Sequence, residues 1–224
     1  MLTDKELELV MMELETESIS PEAYRYRTEY GLSVVYYMFN IQKLEKLVFE
    51  PVYFYTDDVE CLGKTEEELF QIILRNTMAI MQTKIIPYSS YLAELGAKCH
   101  DAVRREFITR IVETMERSKE EDRLWCLTSI IRERGASGVF CTEILKQFCK
   151  EHHFKQLFIG VSNNDFAFLY RASEETLYNM QILVKQVSHV VDGEDEILQR
   201  KILLYDCETD TLKEYGTEGR EWRY

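Results

Sequence analysis

A chain of 224 residues can withdraw roughly 70% of its unfolded surface from water, so a core forms without disulfide or metal staples. Hydrophobic residues make up 46% of it and charged residues 30%, with three Pro and nine Gly, a composition that excludes a linker or a disordered chain. Its 27 basic and 40 acidic residues give a formal net charge of −13. That field repels phosphate backbones and anionic headgroups, and no local basic patch offsets it, so neither nucleic acid nor membrane is expected as a partner. The most apolar stretch, Leu32 to Ile41, is about half the ~20 residues that cross a bilayer. Cysteines at 61, 99, 126, 141, 149 and 207 form no CxxC pair, and the opening MLTDKELELV has no basic-then-apolar leader. Free thiols in a cytoplasmic protein are expected.

The first 47 residues read as helix. Thr3 with Glu6 makes a capping box, and Leu7, Val10, Met11 and Leu14 share a helical face. Ser20 followed by Pro21 gives a second start, Gly31 a stop, and Val34, Tyr37, Met38, Ile41 and Leu44 a third face. An α+β domain over 48–216 follows, and a polar tail over 217–224. VFEPVYFYT at 48–56 reads as a strand confined by Pro51 to an edge or a bulge. Thr65 and Glu68 open a helix with Leu69, Ile72, Ile73, Asn76 and Ile80 inward, and Pro87 ends that region. A long amphipathic helix then carries Val103, Phe107, Ile111 and Met115.

Leu124 to Ile131 reads as a buried strand, RERGASG as a loop, and Thr142 as the cap of a helix with Ile144, Leu145, Phe148, Cys149 and His152 inward. Strands 156–162 and 165–171 flank Asn163 and Asn164, residues suited to the left-handed positions of a type I′ turn. Ser173 caps a further helix, and 201–215 forms a last hairpin around Glu208 to Thr211. Two hairpins, and strands that do not alternate regularly with helices, favour an α+β fold with a mixed or antiparallel sheet over a doubly wound parallel one.

Four segments in fixed order carry a resemblance: TEEELFQIILRNT (65–77), LWCLTS with GASGVF (124–140), IGVSNNDFAFLYRA (159–172) and ILLYDCETDTLKEY (202–215). Through them residues 59–216 are similar to a family of uncharacterised bacterial proteins, common in anaerobic gut bacteria and classified as a domain of unknown function. The resemblance implies a fold and no activity. Where that family has a hairpin tip with Ser, His and Glu, this chain keeps Ser162 and has Asn163, Asn164, Asp165 and Phe166.

The candidate sites are few. The loop 132–138, with Arg132, Arg134 and Ser137, joins a strand to a helix and offers backbone N–H groups and guanidinium groups to an anion. With the tip residues Ser162, Asn163 and Asp165 it forms the alternative of a phosphate- or small-ligand-binding domain, or of a hydrolase-like enzyme. Cys149, His152 and His153 have helical spacing for a metal, but no second ligand pair follows, so no metal or cofactor is expected. Ser137, Ser162, Cys126 and Cys141 lack a base that the sequence brings near, and the carboxylates at 66–68 and 194–196 read as solvated faces, so no catalytic residue is assigned. The rings Tyr24, Tyr26, Tyr30, Tyr36, Tyr37 and Phe39 are denser than one core face needs. Tyr24, Tyr30, Tyr36 and Tyr37 are therefore candidate contacts to a protein partner, and a non-enzymatic accessory or interaction protein is the leading expectation.

Overall fold

The computed structural model describes residues 4–16, 19–39, 50–186 and 196–215. Its chief correction falls at the N-terminus, where the expected helices give way to sheet. After one helical turn, α1 (Asp4–Leu7), come strands β1 (Met11–Leu14), β2 (Arg25–Arg27) and β3 (Ser33–Phe39). β3 is the central strand: β1 pairs with one edge, and β2 and β4 (Pro51–Tyr53) follow each other along the other, all antiparallel. The helical spacing was coincidental. Val34 and Tyr36 join the main core while Val35 and Tyr37 enter smaller clusters on the opposite face. With both faces buried, the run loses the period-2 signal, and its β-branched and aromatic types decide for strand.

Ser20 and Pro21 open a turn, with Glu22 N donating to Ser20 Oγ at 3.3 Å. Gly31, at φ 72°, sits in the left-handed turn between β2 and β3 that favours glycine. Pro51 lies on β4, which pairs with β3 alone among the described strands, an edge position where its missing N–H costs nothing. The Thr3 cap, most of the third expected helix and the tail at 217–224 lie outside the described residues.

After α2 (Thr56–Glu60), helix α3 (Glu66–Met81) starts at the expected capping box: Glu68 N donates to Thr65 Oγ1 at 3.2 Å and Thr65 N to Glu68 Oε2 at 2.9 Å. It fastens the first sheet. Asn76 Nδ2 donates to the carbonyls of Leu7 and Val10, and Thr77 Oγ1 accepts from Met12 N at 2.9 Å.

The second sheet has six antiparallel strands in the order β10-β9-β7-β8-β6-β5. These are β5 (Lys84–Pro87), β6 (Trp125–Thr128), β7 (Gln156–Asn163), β8 (Phe166–Arg171), β9 (Glu196–Asp206) and β10 (Thr211–Glu214). Alternation sorts its side chains. Trp125, Leu127, Ile159 and Leu169 face the core shared with the first sheet, α3 and α6 (Thr142–His152). Cys126, Phe158, Phe168 and Leu204 face α4 (Tyr88–Lys98) and α7 (Glu174–Gln186). α5 (Ala102–Glu116) packs on α4 from outside, with Ile108 against Gly96, and none of its residues is buried.

Smaller corrections follow from local hydrogen bonds. The strand expected over 124–131 ends at Thr128, and Thr142 is the first residue of α6 rather than its cap. The hairpin of β7 and β8 is present, but neither Asn163 nor Asn164 has a positive φ. The turn is closed by the Asn163 side chain, whose Oδ1 accepts from Asp165 N and Phe166 N, both at 3.0 Å.

Candidate functional site

The arginine loop and the asparagine tip meet. Gly135 N donates to Asp165 O and Ala136 N to Asn164 O, while Arg134 N donates to Asp165 Oδ1 at 3.0 Å. Thr128 Oγ1 also donates to Asp165 O, at 2.9 Å. Gly135 also packs against the end of β6, where a Cβ would lie 2.2 Å from Ser129 N. Arg132 and Arg134 both adopt left-handed backbone, at φ 66° and 53°, a sparsely populated region that costs free energy unless the surroundings hold it.

What they converge on is a third element that the sequence reading did not single out. Glu13 of β1 is 0% exposed, and its carboxylate is fully engaged. Arg134 Nη1 pairs with its Oε2, Asn164 Nδ2 donates to the same oxygen at 2.7 Å, and Tyr53 OH donates to Oε1 at 2.6 Å. The Arg134 guanidinium lies over the Tyr37 ring at 5.3 Å. Burial works against the charge of Arg134, and Glu13 together with the Tyr53 and Tyr37 hydroxyls outweighs it, holding the guanidinium above its ordinary value. Burial, then Glu13, pushes the Tyr53 phenol up to about 12. The arrangement ties the first sheet to the second, with two backbone links beside it: Leu14 N donates to Asn164 Oδ1, and Ser137 Oγ to Met12 O.

Both arginines of the expected anion site are thus paired from within the chain, while Ser162 Oγ is buried without a hydrogen-bond partner. Arg132 makes a two-point pair with Glu94 of α4, at 2.7 and 2.5 Å, and the paired guanidinium lowers the Glu94 carboxyl below its usual range. Ser137 is buried, Ser162 is 1% exposed, and Asn163 closes its own turn.

The tyrosines are sorted by depth. Tyr36 and Tyr37 are 1% and 0% exposed, core residues that cannot meet a partner. Tyr24 and Tyr26 donate to Glu66 and Glu67 of α3, and Tyr30 stacks on Phe140 at 6.0 Å. Cys149 is buried, His152 bonds Glu120, and no group of three His, Cys, Asp or Glu among the described residues can hold a metal ion.

Among the described residues large apolar side chains are exposed on several elements, and α5 exposes two of them one turn apart. Val103 is 80% and Phe107 60% exposed, and a shallow depression of about 390 Å³ lies among Phe107, Arg110, Ile111, Thr114 and Met115. Amphipathic spacing did indicate this helix and the residues of its apolar stripe.

No family model, no curated protein and no solved structure matches this chain. Among the described residues no helix is long and apolar enough to cross a membrane.

Proposed function

We infer that the chain is a non-enzymatic accessory protein that works by protein contact, and that the outer stripe of α5 is the face it presents. The carrying observation is that a fifteen-residue helix with no buried residue shows Val103 and Phe107 to water. Exposed apolar stripes of this kind mark interaction sites. The helix balances Arg104, Arg105 and Arg110 against Glu106, Glu113 and Glu116, with Arg110 paired to Glu106 at 2.6 Å. A partner helix with an apolar side and flanking charges of both signs fits it. Six unpaired cysteines support a reducing compartment such as the cytoplasm. The closed Glu13–Arg134 cluster supports contact over ligand binding at the 132–138 loop, because a carboxylate of the chain already fills the anion's place.

The test is a photoreactive amino acid at position 107, placed in the full chain in its native host, with a control at Tyr178, which is 65% exposed. A discrete cross-linked partner at 107, absent at 178 and lost on adding Val103→Glu, is expected. Identical products at both positions, or none, would overturn the reading.

A further inference from the structure

A second feature lies at the end of the second sheet. The last turn of α6, the turn after α5 and the end of β8 enclose an open cleft of about 320 Å³ lined by Lys119, Glu120, Glu121, His152, His153 and Arg171, with Phe154 as its apolar wall. The His152 ring is packed by Trp125, Phe148 and Phe154, with centroids 4.5, 4.4 and 5.6 Å away. Its Nδ1 lies 2.5 Å from Glu120 Oε1, which fixes the ring and leaves Nε2 as the free nitrogen. His153 ends the helix at φ 56°, and neither its side chain nor that of Lys119 has a hydrogen-bond or ion-pair partner among the described residues.

Arg171 is the informative member. Its Nε is buried and has no hydrogen-bond acceptor, while its Nη1 stands 3.9 Å from Glu121 Oε2, beyond hydrogen-bond reach. A buried donor without an acceptor is costly, so the chain itself leaves this guanidinium incompletely satisfied, with the side chain as a whole 38% exposed along the cleft. Glu120 is spent on His152, and Lys119, Arg171, His152 and His153 line the same cleft.

We propose that this cleft binds a small oxyanion, a phosphate or carboxylate group held by Arg171 and Lys119 with the histidines beside it and the rest of the ligand against Phe154. The site is separate from the α5 stripe and from the Glu13 cluster, so it does not depend on the interaction reading. Formal charges within the cleft cancel, two cations against two carboxylates, so recognition rests on directed donors rather than on net field.

The chain has four histidines, which makes ring C–H resonances of the full-length protein a direct readout. Titration with inorganic phosphate is expected to move the His152 and His153 signals saturably and leave His100 in place. Arg171→Gln and, independently, the exposed Lys119→Ala should each weaken binding at least tenfold. Tighter binding of glycerol phosphate assigns a phosphate monoester, and tighter binding of acetate assigns a carboxylate ligand, both within the proposed chemistry. Shifts that rise linearly without saturation, that appear equally at His100, or that survive Lys119→Ala unchanged would overturn it by showing water or an adventitious ion only.

Discussion

Replacing Arg134 with Met leaves the Glu13 carboxylate buried without its cation. Both side chains bear the same left-handed backbone, so the change tests the charge and not the turn. Removing one partner of a buried ion pair costs about 3–5 kcal/mol. Here the Glu13 side chain is 1% exposed and Arg134 21%, and Tyr53 and Asn164 still donate to the carboxylate, which places the loss nearer ~2–3 kcal/mol. For a domain of this size that is a fall in Tm of ~4–12 °C. Urea denaturation of wild type, Arg134→Met, Glu13→Gln and the double variant measures it, and the cycle should show coupling of at least ~1 kcal/mol. A single variant within ~0.5 kcal/mol of wild type, or additive singles, would refute the view that this pair holds the two sheets together.

Gly135→Ala should cost about 1–3 kcal/mol, because the new Cβ meets backbone at Ser129 and Thr128 rather than a flexible side chain; an unchanged Tm contradicts this. Asp206 is held down from 3.8 to about 2 by Gln156 and by the Thr209 and Glu208 amides. A depressed carboxyl contributes stability above its unfolded value and loses it as pH falls through the folded one. Stability should therefore decline from about pH 4 towards pH 2, and Asp206→Asn should flatten that slope; parallel pH curves would sink the assignment. Burial pushes the Cys126 thiol up to about 12, and Cys149 is also buried while Cys61 is exposed. A thiol reagent should label Cys61 first and Cys126 and Cys149 only after unfolding, as peptide mapping will show.

Legibility in the sequence followed the locality of the signal. The Thr65–Glu68 box, both hairpins of the second sheet and the α+β class were readable, because three-residue caps and period-2 alternation lie within one segment. MMEL and SVVYYMF carried no such period, being buried on both faces, and were taken for helix. The meeting of the arginine loop with the hairpin tip was foreseen as a pairing, yet its centre was not. Glu13 lies 121 residues from Arg134 and 151 from Asn164, and a single acid inside an apolar run gives no hint of either partner. The one available signal was that same oddity, a carboxylate flanked by Met11, Met12 and Leu14.

The contact reading is tested most directly by the Phe107→Glu variant, which should alter neither the circular dichroism spectrum nor the melting temperature, since the side chain is already in water. Its partner, recovered in stoichiometric amount with tagged wild-type chain from the native host, should fall at least tenfold. Recovery equal to wild type would place the interaction on another surface or remove it from the protein's work altogether.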